Sequence, residues 1–350
     1  MSVHKKYCFK HFAGEDIYLF TLRNAKGTEV CITNYGAIIT SFKLVQENGV
    51  INDIVLGFDH AEDYLSPVYL DQYPYFGAAI GRYGNRIKNG QFSINGQIYH
   101  LSKNIGADNL HGGFKGFDKK VWQVVSFKEN ENVLELHCQS ADGEEGFPGN
   151  LETTIRFLLS EDDELSYEFS ATTDKSTAVN LTHHSYFNLN NHTGTISDHL
   201  LKIYSSNILE QDESLVTNGN LIPVGNSIYD FREFRKINSN WDPEQGYDQS
   251  FVVDKSSASL TIMAEAFSEQ SGVKLEVYST EPVVHLYTGQ GIPLLNGKKK
   301  IKYGPYSGFC LETQKHPNAI NIPFFPNTVL KPGEVYKQKT VYRVSGAEVK

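Results

Sequence analysis

Along much of this chain the large apolar side chains fall on alternate positions rather than every third or fourth. Leu165-Ser166-Tyr167-Glu168-Phe169-Ser170-Ala171 is the longest clear run, and Leu134-Glu135-Leu136-His137 and Leu275-Glu276-Val277-Tyr278 are shorter ones. Successive side chains of a strand point to opposite faces, so a period of two predicts strands with one wet and one buried face. Residues 91–101 predict a hairpin, because Asn95-Gly96 suits a type I′ turn whose two central residues need positive φ. Further strands are expected near 37–44, 121–127, 151–159, 178–183, 251–254, 259–264, 283–288 and 308–311. Helical signals are sparse, and only residues 60–65 and 227–234 predict a short helical turn or two each.

Many short strands punctuated by turn residues predict an all-β sandwich or a related barrel-like architecture. The 20 Tyr, 21 Phe and 29 Gly agree with that class, since aromatics favour strands and glycines favour turns. No internal repeat, low-complexity linker or composition break divides the 350 residues, so a single domain over 1–350 is expected.

Charge and cysteine usage narrow the partners. Lys plus Arg number 32 and Asp plus Glu 41, a net charge of −9. That balance argues against non-specific nucleic-acid binding, which needs dense cations to displace phosphate counterions, and against a basic membrane-surface patch. No apolar run reaches the roughly 18–20 residues that span a bilayer. The N-terminal segment has early positive charge but no continuous apolar stretch, so no signal peptide is read and a cytoplasmic location is expected. Cys8, Cys31, Cys138 and Cys310 are widely spaced and form no C-x-x-C, which predicts reduced, mostly buried thiols.

The usual phosphate-loop, dinucleotide, zinc-protease and serine-hydrolase motifs are absent. Several polar groups nevertheless sit among Gly, aromatic and aliphatic neighbours: Asn85 and Arg86 in GAAIGRYGNRI, His111 in DNLHGGFKGFDKKVW, His184 in NLTHHSYFNL, Asp248 in GYDQSF and Glu312 in GFCLETQKHPNAIN. Such settings desolvate a group and shift its pKa. Each also has an ordinary reading taken singly: a turn former, a loop hydrogen-bonder, a clamp on carbonyls or a solvent-facing carboxylate. His183 and His184 are adjacent, so on a strand at most one faces any given pocket.

The blocks GRYGNRI, NLHGG followed by GFDKKVW, DGEEGFPG, HSYFNL, GYDQSF, YTGQ and FCLETQKHPNAIN, in this order from about residue 77 to 326, resemble the aldose 1-epimerase (galactose mutarotase) family. The resemblance implies a large antiparallel β-sandwich of the galactose mutarotase-like supersandwich kind. It implies interconversion of the α and β anomers of hexoses such as galactose and glucose, with no cofactor and no metal. It further implies a small-molecule aldohexose as partner, no nucleic acid or membrane, and a monomer or homodimer.

Opening a cyclic hemiacetal needs a base for the anomeric hydroxyl and an acid for the ring oxygen, and reclosure reverses both transfers. By resemblance Glu312 is the base and His184 the acid, expected on opposite sides of the sugar. Asn85, Arg86, His111 and Asp248 match sugar-binding positions. Tyr186 or Phe187 is expected beside the sugar or in the core, with at least one in the core because neighbours alternate faces. The chain departs from the family at His285, where Gln is frequent before YTG, and at Gln249 and Ser250, where His and Asn are common. His285 either replaces one substrate hydrogen bond or contributes none. The acidic pair of the 142–149 loop is expected to shape that loop rather than to transfer protons. Lys298-Lys299-Lys300 reads as a solvated loop tip; a phosphate contact there is the competing reading, which would favour a hexose phosphate. A non-catalytic sugar-binding module is the third alternative, and the presence of both Glu312 and His184 argues against it.

Overall fold

The period-two runs become strands of three large antiparallel sheets in a computed structural model that describes residues 4–11, 13–128, 131–255 and 258–346. The first sheet is a five-stranded meander from His4–Lys10 to Ile51–Asp53. The second has nine strands. It begins as the meander Gln123–Lys128, Val133–Ser140, Leu151–Leu159 and Glu164–Thr173, then takes in Tyr336–Gly346 and Val273–Ser279. Leu165, Tyr167, Phe169 and Ala171 are buried while the residues between them are partly wet, as alternation requires. The third sheet has six strands in the order Tyr186–Phe187, Phe309–Gln314, Val283–Tyr287, Asp248–Val252, Asn207–Gln211 and Thr217–Pro223.

One apolar cluster joins the inner faces of all three sheets, with Phe20 and Phe42 from the first, Ile155 and Tyr167 from the second, and Phe251, Leu286 and Leu311 from the third. Burying each such side chain contributes about 1.5–3 kcal/mol, so this shared interior holds the sandwich closed. The predicted hairpin is present: Gln91–Ile94 pairs with Gln97–His100, and Asn95 and Gly96 take φ of 52° and 79°.

Two of the strand and helix expectations need correction. Residues 178–183 are not one strand. Thr177–Ala178 pairs with Val329–Leu330, whereas Thr182–His183 pairs with Ala79–Ile80. Between them the Asn180 side chain accepts from the Lys315 N–H at 2.9 Å, tying the segment to a loop instead of a ladder. Residues 227–234 form turns, not a helix, because Ser227 and Asp230 spend their side-chain oxygens on nearby backbone and on Arg232. Residues 61–65 do form a 3₁₀ turn, and a short helix, Pro67–Gln72, follows it with Pro at its first position, where the missing N–H costs nothing.

The lysine run is only partly a solvated tip. Lys299 and Lys300 are exposed, but Lys298 is buried. Its Nζ lies 2.8 Å from Asp53 Oδ2 and 2.9 Å from the Val55 carbonyl. Asp53 also accepts from Ser41 Oγ and the Phe42 N–H. Burial opposes the charge on Asp53, but the Lys298 ammonium and these hydrogen bonds outweigh it and hold the carboxyl below its usual range. The run therefore has one fewer free cation for a phosphate, and it pins the last strand of the first sheet to a distant turn. Removing one partner of a buried pair strands the other charge, so Lys298→Ala should lose about 3–5 kcal/mol of stability in urea unfolding, whereas exposed Lys299→Ala should stay within about 0.5 kcal/mol.

Candidate active site

The register of the six-stranded sheet assembles one wall of a pocket. Ser250 pairs with His285, and His285 with Glu312. In the adjacent row Asp248 pairs with Tyr287, Tyr287 with Cys310, and Cys310 with Tyr186. Directly opposed residues share a face, and residues two apart on a strand do too. The intervening Phe187, Phe251, Leu286 and Leu311 go to the core. The wall borders a cavity of about 500 Å³, and Asn85, Arg86, His111, His184, Asp248, His285 and Glu312 all line it. Sequence segments more than 200 residues apart thus converge on one hollow.

The histidine pair splits as alternation demands. His184 faces the pocket, whereas His183 lies in the core with its ring nitrogens 3.1 Å from Ser185 Oγ and 3.2 Å from the Ala37 carbonyl. Burial, partly offset by the Ala37 bond, pushes the His183 pKa down to about 3. Tyr186 lines the pocket and Phe187 is in the core.

The opposite wall is built from loops. Arg86–Ile87 pairs with Asn109–Leu110, and this short ladder brings Asn85 beside His111. The two lock reciprocally: His111 N–H donates to the Asn85 carbonyl at 3.1 Å, and Asn85 N–H donates to His111 Nδ1 at 3.2 Å. Both residues have left-handed backbones, with φ of 61° and 54°. Gly112 is needed after them, since a Cβ there would come within 2.1 Å of the Gly81 carbonyl. Glu145 of the acidic loop accepts from the N–H groups of Phe114 and Lys115, so that loop steadies the turn after His111.

These contacts define the protonation of His111. Burial first, then the fields of His184 and Arg86, keep its pKa well below 6.5. Nδ1 is already an acceptor, so the neutral ring carries its proton on Nε2. His111 is therefore a fixed hydrogen-bond donor. The ligand atoms of His111, His184 and Glu312 lie within 4.8 Å of one another, a spacing compatible with a metal ion. The donor set does not fit one, because binding at Nε2 would cost the proton there or the bond from Asn85.

Asp248 is held from two sides. His285 Nε2 lies 2.8 Å from its Oδ1, and Arg86 Nη2 lies 3.9 Å from its Oδ2. Burial opposes its charge, but the His285 hydrogen bond and the fields of His285 and Arg86 hold the carboxyl below its usual range. His285 Nδ1 meets Ser250 Oγ at 2.8 Å, so both its ring nitrogens are occupied by protein. Of the two other departures from the family pattern, Ser250 meets the site through His285, and Gln249 is turned away, donating to the Leu209 carbonyl.

His184 and Glu312 are neighbours. His184 Nε2 is 3.5 Å from Glu312 Oε1, and both residues are almost fully buried. Glu312 Oε2 has no hydrogen-bond partner among the described residues. A pyranose does not fit between groups so close, which differs from the expected placement on opposite sides of the sugar. The spacing still suits a hemiacetal, because its hydroxyl oxygen and ring oxygen share one carbon and both reach the pair from the same side.

Tyr75 and Tyr287, which line the pocket, and Cys310, which touches His184, had no site role in the sequence reading, and Ser250 was read only as a departure from the family pattern. Tyr287, Ser250 and Cys310 each lie two positions from a recognised residue on a strand, so the period of two was a usable signal. Tyr75, stacked 5.7 Å from the His184 ring at 29°, comes from a loop with φ of 60° and carried no such signal.

With burial holding the His111 pKa well below the ordinary value, ¹⁵N-resolved histidine NMR should show it uncharged and protonated on Nε2 at about pH 6.5, where a free imidazole is about half charged. A titration with a midpoint near the ordinary histidine value of about 6.5 would contradict this assignment.

The aldose 1-epimerase family profile matches residues 18–343. The chain is 38% identical over 340 residues to galactose mutarotase of Rattus norvegicus, covering 95% of this chain and 96% of that one. It is 33% identical over 338 residues to aldose 1-epimerase of Escherichia coli K12, covering 94% and 96%. The crystal structure of an aldose epimerase homologue from C. elegans superposes with a TM-score of 0.87 at 26% identity, covering 99% of this chain and all of that one. On a match that runs through every strand forming the pocket wall, the chain belongs to the aldose 1-epimerase family.

Proposed function

We propose that the protein is an aldose 1-epimerase, a mutarotase that interconverts the α and β anomers of free hexoses such as D-galactose and D-glucose in hexose metabolism. The observation that carries this reading is the buried Glu312–His184 pair, 3.5 Å apart at the wall of a sugar-sized pocket. Binding alone does not require a carboxylate and an imidazole so placed.

Glu312 takes the proton from the anomeric hydroxyl. The C1–O bond to the ring oxygen breaks as C1 becomes an aldehyde, and the ring oxygen takes a proton from His184 Nε2 to become a hydroxyl. Rotation about the C1–C2 bond presents the other face of the aldehyde. Closure then returns one proton to His184 and the other to the anomeric oxygen, so each turnover regenerates both groups. The negative carboxylate stabilises positive charge on the adjacent ring.

The remaining groups orient the sugar. His111 offers its Nε2–H to the ring oxygen or a neighbouring hydroxyl. Arg86 presents fixed guanidinium donors, and Asp248 accepts from hydroxyls while His285 holds it in place. The Arg86 guanidinium lies 3.9 Å from Asp248 Oδ2. With Lys298 committed to Asp53, the free-hexose reading is favoured over the hexose phosphate.

An amide cannot accept the proton, so Glu312→Gln should lower kcat for fresh α-D-galactose or α-D-glucose by about 10²–10⁴-fold, followed by polarimetry. KM should change little, because the amide keeps the shape of the side chain. Turnover at the wild-type rate would remove Glu312 from the role of base.

A further inference from the structure

His184 is gripped in two ways. Its backbone N–H donates to the Ala78 carbonyl and its own carbonyl accepts from Gly77 N–H. Its ring is flanked by Tyr75 at 5.7 Å and 29° and by Tyr186 at 5.0 Å and 35°. Those faces restrict tilting, and the two in-plane contacts decide what each nitrogen does. Nε2 faces Glu312. Nδ1 faces Cys310 Sγ at 3.4 Å, an ordinary length for a hydrogen bond to sulfur, and both residues are buried.

We propose that Cys310 is a positioning residue whose sulfur accepts the Nδ1 proton of His184 and so makes Nε2 the nitrogen that exchanges protons with the sugar. The inference rests on the reading of His184 as the acid. An imidazole that gives a proton from Nε2 must keep one on Nδ1, since otherwise the product is an imidazolate. The Nδ1 proton therefore stays in place through opening and closure, and Cys310 is the neighbour placed to receive it.

Thiol chemistry suits the task. Burial first, then the negative fields of Glu312 and Asp248, push the Cys310 pKa well above its ordinary value, so the sulfur stays a neutral thiol. A neutral sulfur is a weak acceptor. It orients the Nδ1–H without placing a second carboxylate against the ring. Cys310 is held in turn by register. It pairs with Tyr287 on one side and Tyr186 on the other, and it lies two residues before Glu312 on the same face. The strand that carries the base thus also carries the group that orients the acid.

The test uses the full-length protein, Cys310→Ala and Cys310→Ser, with anomer exchange of galactose and ¹⁵N-histidine NMR as readouts. In the wild type the neutral His184 ring should be protonated on Nδ1. Cys310→Ala should lower kcat about five- to tenfold with KM within about twofold, and should shift His184 toward the Nε2-protonated tautomer. Cys310→Ser supplies a hydroxyl in place of the thiol and should recover the Nδ1–H tautomer and most of kcat. A wild-type His184 protonated on Nε2, or an alanine variant with unchanged tautomer and kcat, overturns the proposal. His184→Ala separates the two readings. If it is inactive while Cys310→Ala is normal, only the role of Cys310 falls; if it keeps wild-type turnover, the role of His184 as acid falls first.

Discussion

The register between three neighbouring strands is the constraint on which the site depends. Ser250, His285 and Glu312 are in line across Asp248–Val252, Val283–Tyr287 and Phe309–Gln314, and Asp248, Tyr287 and Cys310 form the next row. A slip of one residue in any of these strands turns its polar set into the core and its Leu or Phe set into the pocket. The penalty is twofold, because apolar area is exposed and charges are buried without partners. The interior shared by the three sheets therefore protects the register of the pocket wall as well as the fold, and the same alternation that packs Leu286 and Leu311 inward aims His285 and Glu312 into the pocket.

The loop wall obeys a different logic. Asn85, His111 and Tyr75 all have left-handed backbones, which ordinary residues adopt at a cost. They persist because they are over-determined: Asn85 and His111 exchange two hydrogen bonds, and Glu145 braces the next turn. What this arrangement secures is a histidine whose Nδ1 is committed as an acceptor. A ring free to flip would present an acceptor to the pocket, whereas His111 presents its Nε2–H. The two walls thus differ in construction, with strand register setting one and left-handed loop residues the other.

The departures from the family pattern are not three independent changes. His285 fills both of its nitrogens with Ser250 and Asp248, so the Ser250–His285 pair reaches the pocket through the carboxylate it holds. Gln249 is on the other face of the strand. Gln249 and Ser250 are adjacent in sequence, and only the alternation of the strand shows that Ser250 meets His285 while Gln249 points the other way.

Much of this protein was legible in its residues. The alternating runs around Leu165 and Leu275 determined strands, Asn95-Gly96 determined a hairpin, and the ordered blocks from GRYGNRI to FCLETQ determined the family and the residues that meet in the pocket. These are local signals, carried by side-chain periodicity and turn chemistry within a few positions. The remainder was decided by tertiary structure. Lys298 sits in a run that reads as solvated, yet a carboxylate 245 positions away in sequence buries it. Residues 178–183 look like one strand but are divided between two partners. The contact between Cys310 and His184, and the short gap between His184 and Glu312, exist only because distant strands pair in one register. Burial, partner choice and the distance between segments far apart in the chain are properties of packing, and no window of neighbouring residues contains them.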